Sequence, residues 1–178
     1  MPAPASAPTW NIEQLRFPKT LDEDARSPAL QARLRASCRK LWEGGAIQVP
    51  WVAWSEPLAA ALATAQREGQ LAQGIEQAER ALAREARGLS LADARSSTER
   101  GSRVSRLVLA SNDGTERFYR QIEHLLRTYG PRVLAIRLDA DSGCLSGVMD
   151  KPGGLARALL VEHKNSVARV LLALCHET

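Results

Sequence analysis

Residues 104–140 constrain this chain more than any other stretch. Val104 onward runs into an unbroken apolar segment, Leu107-Val-Leu-Ala110, the pattern of a strand buried on both faces. Asn112-Asp113-Gly114 is turn chemistry, and Asp113 stands three residues before Glu116, the spacing of a capping box. Phe118, Ile122, Leu125, Leu126 and Tyr129 then recur at helical spacing until Gly130-Pro131 stops the helix. A second apolar run, Arg132 to Leu138, follows. Strand, helix and strand joined by short turns predict a βαβ unit with parallel strands and a right-handed crossover.

The preceding half reads as mostly helical. Residues 1–15 are an Ala/Pro-rich flexible lead-in. Thr20 and Glu23 have capping-box spacing, and Ser27-Pro28 marks a firmer helix start. Leu30, Leu34, Cys38 and Leu41 continue that helix to Gly44-Gly45. Residues 47–54 are extended, and Pro50 makes them an edge strand or arm carrying Trp51 and Trp54. Residues 57–87 read as a long helix with a narrow stripe (Leu58, Leu62, Ala65, Ala72, Ile75, Leu82), weakened or bent at Gly69 and Gly74. Residues 88–103, rich in Ser, Arg and Gly, read as a linker.

After Asp150-Lys-Pro-Gly-Gly154 two readings stand. One is a single helix from Leu155 to about Leu174, favoured by its Ala, Leu, Arg, Glu and Lys content. The other is a strand over Ala158–Val161 and then a helix capped by Asn165. The fold class expected is mixed α/β: a helical N-terminal half, then a small βαβ-containing unit with a C-terminal helix. The divisions are 1–15, 16–87, 88–103 and 104–178. The core should contain Leu30, Leu34, Leu41, Leu62, Ile75, Leu107, Leu109, Phe118, Ile122, Leu126, Leu134, Ile136 and Leu171.

Composition narrows the functions. Hydrophobic residues make up 44% of the 178, enough for a core. No run has the apolar length of a membrane helix, and the first ten residues lack the pattern of a secretory signal, so a cytoplasmic location is expected. Three widely spaced cysteines, Cys38, Cys144 and Cys175, form neither a disulfide framework nor a zinc motif. Net charge is +4, concentrated in residues 95–137, where nine arginines face four acids. That excess makes nucleic acid a candidate partner through Arg95, Arg100, Arg103 and Arg106.

In a parallel βαβ unit the loops that follow the strands lie side by side, and ligands bind there. The turns 111–115 and 139–143 would bring Asn112, Asp113, Thr115, Asp139 and Asp141 together beside the start of a helix. Carboxylates there suit Mg²⁺, and helix amides suit a phosphate. The bland reading of the same residues is turn formation, with Asp113 as the helix cap. No nucleotide-binding glycine loop, nucleophile elbow or HExxH motif is present. His124 reads as a surface residue, His163 as a core histidine and His176 as part of a tail.

Three functions follow. The first is a small intracellular interaction or regulatory module, with a protein partner or a second copy docking on helix 57–87 and on the Trp51/Trp54 arm. The second is a nucleic-acid or ribosome-associated protein using the basic region. The third is an Mg²⁺-dependent phosphate- or nucleotide-handling domain at the βαβ edge.

Overall fold

Arg106–Ala110 and Val133–Asp139 form adjacent parallel strands, paired from Arg106↔Val133 to Ala110↔Arg137, as the βαβ reading requires. The computed structural model describes residues 10–95, 102–149 and 155–175. In chain order the helices are α1 (Lys19–Asp22), α2 (Ser27–Ala36), α3 (Glu56–Arg67), α4 (Ile75–Arg95), α5 (Glu116–Tyr129), α6 (Ser142–Ser146) and α7 (Lys164–Ala173). The strands are β1 (Cys38–Lys40), β2 (Gln48–Ala53), β3 (Leu71–Gln73), β4 (Arg106–Ala110), β5 (Val133–Asp139) and β6 (Ala158–Val161). They form one mixed sheet in the order β1-β2-β5-β4-β6-β3. The fold class is mixed α/β, with a helical N-terminal part and a C-terminal helix.

Leu107–Ala110, Val133–Ile136 and Ala158–Val161 are buried at every position, so helices cover both faces of the central strands. α4 and α5 pack together, with α5 along β5. On the opposite face α2 and α3 pack on α7, which lies along β4. α5 buries Phe118, Ile122, Leu125 and Leu126, the stripe read from its sequence. Of the expected core only Ile75 remains partly exposed.

Several local expectations are corrected. The helix expected over 27–44 ends at Ala36, because the chain beyond it pairs with β2 from Cys38↔Pro50 to Lys40↔Gln48. Its start carries no side-chain cap: Arg26 precedes Ser27, which lies inside the helix. Nor do Thr20 and Glu23 form a capping box, since α1 follows Pro18 without a side-chain cap. Gly44 and Gly45 belong instead to the β1–β2 hairpin. A Cβ at Gly45 would lie 2.5 Å from Glu123 Oε1 and 2.8 Å from Trp42 Nε1, so only glycine fits.

β2 is an inner strand, not an edge: it pairs with β1 on one side and runs parallel to β5 on the other, from Trp51↔Arg137 to Ala53↔Asp139. The Trp51 amide donates to Ser37 O, so by strand alternation the Pro50 nitrogen faces β5, one residue before that pairing begins. Proline therefore removes no ladder bond there.

The segment expected as one helix over 57–87 is α3, β3 and the start of α4. Gly69 (φ +70°) and Gly74 (φ +88°) flank β3 in the left-handed region, where glycine is unstrained. β3 pairs antiparallel with β6, so Ala72 sits in a strand. The stripe residues Leu58, Leu62, Ala65 and Leu82 are buried within the chain itself.

The expected linker is helical to Arg95, and residues 96–101 lie outside the described residues. Strands from both sides of 88–103 share the sheet. At the C-terminus the strand-then-helix reading holds: β6 runs antiparallel to β4, and His163, not Asn165, caps α7 by accepting from the Asn165 amide at 3.2 Å. The helical content of 155–174 loses to strand pairing on both sides of β6. Glu162, His163 and Lys164 therefore lie at the sheet end opposite the turns after β4 and β5.

Leu126 is fully buried under α5. Leu126→Ala should lower the unfolding free energy by about 2 to 5 kcal/mol in urea titration. A loss below about half a kcal/mol would contradict this helix register.

Candidate functional site

The turns after β4 and β5 meet, as the sequence predicts. The Asn112 amide donates to Ala140 O at 2.9 Å, and Asn112 Nδ2 to Asp139 Oδ1 at 3.1 Å. Asp113 accepts from the Ser142 amide at 3.1 Å and from the Ser142 hydroxyl at 2.7 Å. Asp141 accepts from the Cys144 amide at 2.9 Å and so caps α6. α3 leaves the end of β2 for one face and α5 leaves the end of β4 for the other. β5 lies between them, so the Asp139–Ser142 turn stands at the topological switch point.

Each of these carboxylates already has a partner inside the protein. Asp113 is not the cap of α5; Thr115 is, its Oγ1 accepting from the Phe118 amide at 3.3 Å. Asp113 instead ties the two turns together. Burial raises its carboxyl pKa, but the nearby Ser111 hydroxyl and the hydrogen bonds from the Ser142 hydroxyl and amide outweigh that and leave it below the ordinary value. Among the described residues no group of three or more His, Cys, Asp or Glu is placed to hold a metal ion.

Beside the turns, Arg137 lies between two rings, 4.2 Å from the Trp51 centroid and 4.9 Å from the Tyr119 centroid. Arg39 approaches Trp51 at 5.7 Å. Trp51 is thus enclosed by guanidinium groups within the sheet and is not part of an arm; Trp54 is half-buried against the core. Arg137 also donates to Leu41 O at 2.6 Å, and Glu123 accepts from the Ala46 and Ile47 amides at 3.0 and 3.2 Å. Together they hold the β1–β2 hairpin against β5 and α5.

The expected polyanion residues are dispersed. Arg103 pairs with Asp22 at 2.6 Å and donates to Phe17 O; Arg106 pairs with Glu85 at 2.9 Å. Arg95 is exposed at the end of α4, and Arg100 lies outside the described residues. Of the cysteines, Cys38 is half-buried and burial pushes its thiol up to about 11, so it stays protonated at neutral pH.

Of the expected ligand residues, Thr115 lines a cleft of substantial size. This cleft of about 370 Å³ lies where the first turns of α4 and α5 meet the start of β6. Its walls carry Gln73, Gln77 and Gln121 as amide donors, Glu76 as an acid, and Arg117 and Arg157. Both arginines are exposed and make no side-chain hydrogen bond or ion pair among the described residues. Ile75, Phe118 and Leu155 supply apolar surface, Leu155 being 64% exposed. Gly74, whose carbonyl accepts from the Ala78 amide, precedes α4 and has no side chain to cap it. The sequence held a signal for this place: Gly74 before an Ala- and Glu-rich run marks a helix start once it is not read as helix interior.

Two substitutions separate the roles of the turn residues. Thr115→Ala should cost about 1 kcal/mol by removing the cap of α5. Asp113→Asn should be less stable than the parent at pH 7. A carboxyl held below its unfolded value stabilises above that value and loses the effect as pH falls through the folded one. The gap between the proteins should therefore close on acidification below the ordinary carboxylate range near about pH 4. A gap independent of pH in thermal melts would contradict the assigned hydrogen bonds.

No protein-family model matches the chain, and no curated protein does. Among solved structures the chain is similar to a protein with unknown function from Bacillus halodurans C, at 18% identity and a TM-score of 0.47. The match covers 70% of this chain and 100% of that one.

Proposed function

We propose that this protein binds a small phosphate-bearing ligand in the cleft between the first turns of α4 and α5. The observation that carries this reading is the convergence on one concave surface of Arg117 and Arg157, neither with an acidic partner among the described residues. An arginine fork matches phosphate oxygens in pairs.

Two helix starts add to the same field. Each carries roughly half a positive charge and amides without intrahelical acceptors. The Phe118 amide is capped by Thr115, whereas α4 follows Gly74 without a side-chain cap. The Thr115 hydroxyl accepts from Phe118, and its own proton is available to a ligand oxygen. Gln73, Gln77 and Gln121 offer further donors, and Ile75, Phe118 and Leu155 suit an apolar or flat body attached to the phosphate. Glu76 opposes the positive groups and would favour a ligand that also presents a donor. This is the anion half of the site expected near Thr115, shifted from the Asp139 turn toward α4.

Thermal melts with inorganic phosphate, pyrophosphate and adenosine monophosphate test the reading. A ligand at 100 times its Kd should add about 2.7 kcal/mol to the unfolding free energy. Replacing Arg117 and Arg157 together with alanine should abolish the added stability and leave the unliganded melt within about half a kcal/mol, since both side chains are exposed. No stabilisation by any of the three, or equal stabilisation of the variant, would overturn the proposal.

A further inference from the structure

The outward face of α4 carries a charged row that the sequence reading did not identify. At about 100° per residue, Arg80, Arg84, Arg87, Leu91 and Arg95 fall within an arc of about 80°. All five are exposed, and the four arginines make no side-chain hydrogen bond or ion pair among the described residues. Ala78, Leu82, Glu85 and Leu89 lie on the opposite side. Ala78 and Leu82 are buried there, and Glu85 pairs with Arg106 and Arg132. The inner face is thus occupied by the fold while the outer face presents four like charges over about 22 Å, three of them in the row's first two turns and Arg95 beyond Leu91. Within the arc no acid alternates with them; Glu76, at its margin in the first turn, makes no ion pair with Arg80.

We infer that this row is a nucleic-acid-binding surface that grips the phosphodiester backbone. Repeated guanidinium groups complement a chain of repeated phosphates, each able to take a forked pair of hydrogen bonds. The row has no aromatic anchor and only Leu91, 64% exposed, as an apolar contact, which is poor equipment for a protein interface. Anionic membranes take helices through a broad apolar face, and the apolar side of α4 packs against the rest of the chain. Phosphate contacts position a nucleic acid without carrying sequence information, so gripping by the row is independent of sequence. The inference replaces the group Arg95, Arg100, Arg103 and Arg106 with one in which Arg95 is the terminal member. It does not depend on phosphate binding in the cleft.

Fluorescence anisotropy with two unrelated 20-mers, each as single strand and as duplex, tests it across a range of salt. Both sequences should bind alike, and four phosphate contacts should give log K against log salt a slope near −3.6 on duplex DNA, or about −2.8 on single strands. The full chain with Arg80→Gln, Arg84→Gln, Arg87→Gln and Arg95→Gln should bind at least tenfold more weakly in low salt with a flattened slope. Arg117→Ala with Arg157→Ala serves separately as the cleft variant. Unchanged affinity and slope in the fourfold variant, or no binding to any of the four probes in low salt, would overturn the inference. So would equal, row-dependent binding to phosphatidylserine vesicles or polyglutamate.

Discussion

The fold depends on β5 being paired in parallel on both sides. Its partner β4 comes from the same βαβ unit, but β2 lies more than eighty residues away in sequence. That second pairing, with the β3–β6 pairing at the other edge, joins the two halves of the chain into one sheet. Arg137 secures it at the strand end: its guanidinium stacks on Trp51 of β2 and on Tyr119 of α5, and donates to the hairpin carbonyl of Leu41. A partly buried cation without a carboxylate partner is costly in isolation. Two ring faces and carbonyl acceptors compensate it, and each of those contacts fixes a different element relative to β5. With β2, β4 and α5 so placed, the turns after β4 and β5 must meet, and the start of α5 must stand beside β6.

The central strands were legible because burial on both faces demands unbroken apolar runs, and Leu107–Ala110 and Val133–Ile136 have them. The amphipathic stripe of α5 was legible for the corresponding reason. β1 and β3 were not. Each is three residues long and exists through partners distant in sequence, Gln48–Pro50 and Leu159–Val161. Their own residues suit a helix as well as a strand, so tertiary pairing decides. Gly69 and Gly74 resembled weak points in a helix, when their positive φ angles turn the chain into and out of β3. The meeting of the two turns followed from right-handed crossover, while the tasks of their aspartates did not. Whether Asp113 caps its own helix or binds across to Ser142 depends on where α6 lies.

Charge followed the same division. The sequence shows an excess of arginine but not which arginines are neutralised. Asp22 reaches Arg103 across 81 residues, and Glu85 lies between Arg106 and Arg132. Subtracting those pairs moves the unpaired positive charge onto the outer face of α4 and around its first turn. That row was hidden because residues 88–95, Gly-Leu-Ser-Leu-Ala-Asp-Ala-Arg, have a linker's composition although they complete the helix of nearly six turns begun at Ile75. On its inner side Leu82 is buried, and Leu89 lines a small cavity with Thr128, Tyr129 and Val133 at the end of α5.

The functional account turns on whether anions seek the place where α4 and α5 begin. Amide chemical-shift mapping by NMR during titration with inorganic pyrophosphate reads this directly, residue by residue. The account predicts saturable shifts at the amides of Ile75, Glu76, Gln77, Glu116 and Arg117. The first turn of α7, at the other end of the sheet and capped by His163, should not respond. Shifts of equal size at Lys164, Asn165 and Ser166, or none at the starts of α4 and α5, would contradict it.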